Sequence, residues 1–598
     1  MRPPERLFPE EPVQKKSNYT IRNLIKTALG DGKADLVVLN GSLVNVYSGE
    51  IQEPCSVGIT GARIAAVGED LSYLIGEGTR VIDAKGQYVT PGFIDPHTHL
   101  DSIVQCAEYV RYAVPHGNTT AVTETSMIGN AAGKEGVGWF MEDTRDLSLR
   151  IYILTPSMAP PFPALETSKG FSREDFQEMI REDRVLGVGE TYWPLVLDMD
   201  ERAMALYAIA REMGKTREGH AAGARGKRLT AYSAAGTTSC HEATTAQEAL
   251  ERLRLGMAVM VREGSVRREL EAIAAIKDMG VDLRGVMLCT DWADPQMLIE
   301  HGCMDALVRR AIAAGFDPIV AIQMVTINPA EYFGLHDLGG IGPGKIADIL
   351  LLSDLRQATV ETVIKDGKVV AQEGKLVQDP PRYRYPKAAR HSFAPEGVQE
   401  EDFAIPYEGK GERARVRVVD CLNETITQEL QAELEARAGN LISIPEQDII
   451  KMAHICKYER RPRHAKGFVH GLGMREGGVA TSLIWDTNNI LVVGATDREM
   501  AFAVNRLLEH QGGIVVVTGE QVIAELPLPI CGGISDRPLE EIAQRIAEIE
   551  EGCRGLGFIH RPFLTLQTLA FTGLPYLRLT DRGLVDIRTR AFVDLIIS

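Results

Sequence analysis

Two histidines one residue apart, His97 and His99, close the segment Pro91-Gly92-Phe93-Ile94-Asp95-Pro96-His97-Thr98-His99. On a strand, residues two apart face the same side, so both imidazoles reach one metal ion. Neutral imidazole is the commonest protein ligand for catalytic divalent metals. One such pair is a weak signal, because a solvated strand end reads the same way. Recurrence strengthens it. Further apolar runs lead into Glu124, Glu190, His220, His241 and Asp291, each a residue that can ligate, orient or titrate.

Those residues need elements to hold them. With two more apolar runs, Arg150 to Thr155 and Met257 to Val261, eight strand-like segments lie between about residues 89 and 291. The stretches Arg173 to Arg184, Ala243 to Leu255 and Arg267 to Met279 have helical spacing. Strands alternating with helices imply parallel pairing, and eight such units imply a closed (β/α)8 barrel. Chemistry in that fold sits at the C-terminal ends of the strands, where the polar residues fall.

The rest of the chain, 598 residues in all, divides around this barrel. Residues 1–34 read as a polar N-terminal extension bearing Pro3, Pro4, Pro9 and Pro12 and an amphipathic stretch from Asn18 to Leu29. Residues 35–85 and 336–380 share strand character and are expected to form one small β-domain from both flanks of a barrel at 86–335. A proline-bearing linker is expected at 381–405 and a C-terminal α/β domain at 406–598.

A net charge of −17 with no basic patch argues against a nucleic-acid surface. Nine cysteines, none in a CxxC, suit a reducing compartment, and Cys240 and Cys289 read as small buried side chains. No signal-peptide pattern and no run of about 18 apolar residues is present, so no membrane association and a cytoplasmic location are expected. The expected partner is a small-molecule heterocycle, and the expected assembly a homo-oligomer. Gly471 to Gly477 has the wrong glycine spacing for a dinucleotide fingerprint. Gly339 to Lys345 lacks the Ser or Thr of a phosphate loop and reads as a turn into the next strand. His454, His464 and His470 lack ligand spacing and read as surface or packing residues.

Pro91 to His99, Pro115 to Thr120, Glu218 to Ala221, Ala231 to Gly236, Ser239 to Glu242, Met260 to Ser265, Cys289 to Asp291 and Asn328 to Ala330 carry a resemblance. With Asn505-Arg506, Gly512 to Val517 and Glu525 to Pro529, the chain resembles the adenine deaminase family of the amidohydrolase superfamily over nearly its whole length. The resemblance implies a two-metal hydrolytic deaminase that converts adenine to hypoxanthine and ammonia. His97, His99 and Asp291 would hold one metal, His220 and His241 the second, and Glu190 would bridge, in place of the carboxylated lysine of some relatives. Such mixed ligands suit manganese, iron or zinc. Two cations bring the pKa of one water from ~15.7 to around 7, and the hydroxide attacks the amino-bearing ring carbon. Asp291 would carry the proton to a ring nitrogen or the departing amine, work worth roughly 10²- to 10⁴-fold.

The chain also departs from the family pattern. Asp-Pro-His-Glu after the second strand is here Glu124-Thr125-Ser126-Met127, and Ile-Glu-Ser after the paired histidines is Leu100-Asp101-Ser102. A C-terminal Asp-Ser-His-Asn is Asp486-Thr487-Asn488-Asn489, and an aspartate before His241 is Cys240. Asp101, Glu124 and Ser126 are therefore the expected substrate-side residues at the barrel mouth, with adenine turned over poorly beside a differently substituted heterocycle. Hydrolysis of another ring or a cyclic amide stays open as the alternative. A non-catalytic binding paralogue is the third, disfavoured because all six metal-site residues are retained.

Overall fold

The eight apolar runs become eight parallel strands: β1 (Phe93–Thr98), β2 (Asn118–Thr123), β3 (Arg150–Thr155), β4 (Val185–Tyr192), β5 (Thr216–His220), β6 (Ser239–Cys240), β7 (Ala258–Arg262) and β8 (Val286–Cys289). The structure, a computed structural model, describes residues 13–597 apart from 158, 410, 411 and 575, and only the backbone of 13–19. The prolines of residues 1–12 lie outside the described residues.

Two ladders, β5-β4-β3-β2-β1 and β6-β7-β8, meet at both seams. Thr238 N donates to Arg217 O at 2.9 Å between β5 and β6, and Asp291 N donates to His97 O at 3.0 Å between β8 and β1. The barrel is therefore closed. Every residue of β1, β2 and β8 is buried, as parallel strands covered on both faces require.

The helices follow their periodicity less fully. Arg173–Met179 is capped by a reciprocal Ser172–Asp175 box and stops five residues short of Arg184, where the chain turns into β4. Only Leu270–Ile273 and a tighter turn at Ala274–Asp278 form within the third helical stretch, because Arg262 engages Glu269 ahead of the helix. The N-terminal helix spans Val13–Leu29.

A nine-stranded sheet combines strands from before and after the barrel, with Ile349–Asp354 beside Tyr88–Pro91 and the latter beside Leu36–Asn45. Tyr88–Pro91 thus belongs to this flank sheet, not to the barrel span in which its apolar character placed it. The C-terminal unit is a ten-stranded sheet with helices Asp497–Glu509 and Leu539–Gly555 against it. Met500, Ala503, Val504 and Leu507 form the buried stripe of the first, whose Thr496 cap accepts from Glu499 N. The stretch 381–405 is packed, not loose: Phe403 is buried and Tyr385 OH donates to the buried Asp143 carboxylate. Among the described residues, no helix is long and apolar enough to cross a membrane.

The barrel and C-terminal unit share buried polar joints. Tyr458 OH donates to Asn130 O at 2.9 Å and Asn489 Nδ2 to Thr167 O at 2.9 Å. The Glu166 carboxyl, in the segment after β3, accepts from Phe162 N at 3.0 Å and Thr572 Oγ1 at 3.1 Å. Burial, with Asp486 nearby, pushes its pKa up from 4.5 to about 8. Between those values the folded chain keeps a proton that the unfolded chain has released, so stability falls as pH rises through the window. Glu166→Gln preserves the neutral shape without the ionisation. The wild-type Tm should therefore fall relative to that of Glu166→Gln as pH rises from about 5 to about 8; a difference that does not change with pH would contradict this account.

Candidate active site

The C-terminal strand ends bring the predicted residues together. His97 is buried on β1, and Asp291 follows β8 in a left-handed conformation, φ 58°, that aspartate tolerates better than most residues. This turn sets Asp291 Oδ1 3.1 Å from His97 Nε2 and 3.5 Å from His99 Nε2. His241 stacks on His97 with ring centroids 4.1 Å apart.

From β4 comes Glu190. Its Oε1 lies 3.6 Å from His99 Nε2, while Oε2 lies 2.7 Å from His220 Nδ1 and 3.2 Å from His241 Nε2. The two oxygens of one carboxylate thus face different histidines. Glu190 N donates to Glu124 Oε1 at 2.9 Å. A Cβ on Gly189 would stand 2.1 Å from Glu124 Oε2 and 2.9 Å from the Thr155 carbonyl, so only glycine admits this support.

Sequence reasoning missed Glu242 and Arg262. Glu242 Oε1 lies 3.2 Å from His241 Nε2 and accepts from Arg262 Nη1 at 2.7 Å. Arg262 also clamps Glu269 and passes 3.6 Å from Asp291 Oδ2. It ends β7, so the strand-end rule that picked out the candidate ligands applied to it too. Burial would lift the Glu242 pKa, but Arg262 and the two histidines outweigh it and hold it well below the carboxylate range. Burial likewise opposes ionisation of Asp291, and hydrogen bonds with His97 and His99 override it, leaving the pKa low. Glu124 has no such relief: burial and then the Glu190 charge push it well up.

Three sets offer ligand atoms within 4.8 Å of one another: His97, His99 and Asp291; His97, Glu190 and His241; His220, His241 and Glu242. The expected substrate-side residues divide. Ser126 lines the cavity, together with Met127. Glu124 is fully buried behind Glu190, and the buried Asp101 accepts from Ile128 N at 3.0 Å, so neither faces the mouth where they were expected. Cys240 and Cys289 are buried as expected.

The cluster forms the floor of a cavity of about 710 Å³, a size suited to small organic ligands. Tyr192 and Trp292 from the barrel line it, and so do Trp485, Asp486 and Phe571 from the C-terminal unit. Contacts between such distant stretches left no signal at sequence level.

A family model described as "Amidohydrolase family" matches residues 88–370, and one described as "Adenine deaminase C-terminal domain" matches residues 424–591. An adenine deaminase of Moorella thermoacetica is 39% identical over 98% of this chain and 99% of its own. One from Clostridium botulinum is 38% identical over 96% of this chain and 98% of its own. The chain belongs to the adenine deaminase family. Both the amidohydrolase barrel and the characteristic C-terminal unit of that family are therefore present, and in this adenine deaminase relative both line the same cavity.

The segment carrying Asp291 tolerates no side chain opposite it. A Cβ on Gly264 would stand 1.9 Å from the Thr290 carbonyl oxygen and 2.4 Å from that of Trp292. Gly264→Ala must displace this backbone, an overpacking cost of about 1–3 kcal/mol. It should lower Tm by several degrees and reduce the metal retained after gel filtration; a variant unchanged in both would show that the segment yields freely.

Proposed function

We propose that this chain hydrolyses adenine to hypoxanthine and ammonia, with two divalent transition-metal ions, manganese, iron or zinc, held by His97, His99, Glu190, His220, His241 and Asp291. The observation that carries the reading is the Glu190 carboxylate, which faces His99 with one oxygen and His220 and His241 with the other, on the floor of the cavity. Family membership supports the substrate.

The donor set fits such ions. Imidazole and carboxylate are mixed in the proportions that suit these metals, and three sets of residues there bring ligand atoms within 4.8 Å of one another. Bound there, the ions would supply the charge that brings the pKa of water from ~15.7 towards 7. The remaining work falls to the chain. Glu190 joins the two halves of the ligand set. Asp291, kept ionised beside Arg262, takes the proton of the attacking water and delivers it to the departing amine. A C–O bond forms at the amino-bearing carbon as its C–N bond breaks.

The expectation that adenine is a poor substrate loses most of its footing. Two of the three departures behind it, at Glu124 and Asp101, are engaged with backbone N–H groups away from the cavity. Ser126 and Met127 do line the cavity, which keeps a second reading, a differently substituted heterocycle, worth a substrate panel. The free, buried state of all nine cysteines supports a cytoplasmic setting.

Ammonia release from adenine, measured on metal-replete enzyme against aminopurines, pterins and cyclic amides, tests the reading; a kcat/KM for adenine below that of another heterocycle would transfer it to that ring. Metal analysis of chelator-free protein should approach two ions per chain, and a value near zero would remove the mechanism. Asp291→Asn keeps an oxygen for the metal but loses the base, so kcat should fall by roughly 10²-fold or more with metal still bound.

A further inference from the structure

The C-terminal unit places two acidic groups on the cavity wall, Glu424 and, beside Trp485, Asp486. Asp486 sits on a turn with φ 70°, and Tyr192 OH donates to its Oδ2 at 2.9 Å. Tyr192 ends β4, two residues beyond Glu190, and its ring meets His220 edge-on with centroids 4.7 Å apart. One tyrosine therefore spans the distance from the histidine cluster to Asp486. Phe571 braces the arrangement, edge-on to Tyr192 at 5.8 Å and to Trp485 at 5.1 Å. Asp486 is half-buried and lines the cavity, and its Oδ1 has no hydrogen-bond donor among the described residues.

Burial, with the Glu190 charge nearby, pushes the Asp486 pKa up to about 7, and above that pH its carboxylate is an acceptor only. Adenine offers two kinds of N–H donor: the amino group at the reacting carbon, and one ring N–H on the five-membered ring at the other end of the bicycle. The amino group must face the histidine and carboxylate cluster for hydrolysis. The ring N–H then points away from that cluster, into the cavity whose wall carries Asp486.

We propose that Asp486 is a substrate-binding, specificity-determining residue: its free Oδ1 accepts the five-membered-ring N–H of the bound purine while Tyr192 fixes the other oxygen. This deepens the reading of the site as an adenine aminohydrolase and rests on it. The C-terminal unit then does more than cover the cavity, because it supplies the group that distinguishes a free base from a ring alkylated at that nitrogen. A charge-assisted hydrogen bond of this kind separates ligands by roughly 10- to 100-fold.

The test compares inhibition constants for hypoxanthine and 9-methylhypoxanthine on metal-loaded, full-length wild-type, Asp486→Ala and Tyr192→Phe proteins, with metal content measured for each. Wild type should prefer hypoxanthine by roughly 10- to 100-fold. Asp486→Ala should bring that preference to within a few-fold, with the loss falling on hypoxanthine alone. Tyr192→Phe should shift it the same way by less. If Asp486→Ala does not fold, Asp486→Asn keeps the side-chain size and should give a partial loss of preference. A variant that binds hypoxanthine as wild type does, or that weakens both ligands alike, overturns the assignment. Wild-type protein that releases no ammonia from adenine overturns the proposed function itself, whereas wild-type turnover with an unaltered preference in the variants overturns only the role of Asp486.

Discussion

The Glu190 carboxylate is the fixed point on which the rest of the site depends. It meets histidines from the ends of β1, β5 and β6, and a carboxylate that must reach all of them has almost no freedom of position. Its backbone N–H is held by Glu124, which reaches it only because residue 189 has no side chain. Removing one partner from a buried, charged contact of this kind typically costs about 3–5 kcal/mol, because the other is left uncompensated. A closed parallel barrel supplies the necessary rigidity. Each strand end is registered against two neighbours, and the β8–β1 seam is itself closed by the Asp291 N–H on the His97 carbonyl. One residue thus serves as both a ligand candidate and a closing hydrogen bond.

The C-terminal unit completes what the barrel leaves open. A strand-end site on a bare barrel is exposed to water, where electrostatic contacts are weak. Trp485 and Phe571 cover part of this cavity, and the joints at Tyr458, Asn489 and Glu166 hold the covering unit in register with the barrel loops. Leu539 N donates to the buried Glu108 carboxylate, so the long helix Leu539–Gly555 is also tied to the barrel at its first residue. Polar joints of this sort make the docking specific, since each would be left unsatisfied by a shifted arrangement.

The parts of the site that were legible in the sequence are those that obey a local rule. His97, His99, Glu190, His220, His241 and Asp291 each follow an apolar run, and parallel strands point such residues to one end of the barrel. The same rule does not say which way a side chain turns once the strand has ended. Glu124 and Asp101 follow β2 and β1 as the others follow their strands, yet both turn inward to backbone N–H groups. Arg262 satisfied the rule but is not a ligand type, so its clamp on Glu242 and Glu269 was invisible. Asp486 obeyed no rule at all: it reaches Tyr192 across nearly half the chain, and only the docking of two separate units brings them together. The packed stretch 381–405 shows the converse, for its prolines signalled a break in regular structure while Tyr385 and Phe403 carried the contacts that anchor it.

Charge explains why this arrangement calls for cations. Glu124, Glu190, Glu242 and Asp291 lie on or just beneath the cavity floor, and Arg262 is the one guanidinium in contact with them among the described residues. Glu124 escapes by holding its proton, since burial and the Glu190 charge push its pKa well up. Glu190, Glu242 and Asp291 then stay ionised around one guanidinium that also pairs with Glu269, so the buried volume carries an excess of negative charge. Without metal, protons on His99, His220 and His241, whose pKa values the neighbouring carboxylates raise against burial, offset part of it, while burial and His241 keep His97 neutral. Metal ions held there would take these imidazoles as neutral ligands and would offset the carboxylate charge. Binding and folding are then coupled, because a ligand that binds only the native state adds RT ln(1 + [L]/Kd) to its stability. The buried acidic cluster is thus costly as bare protein, and cations held by the same residues would offset that cost.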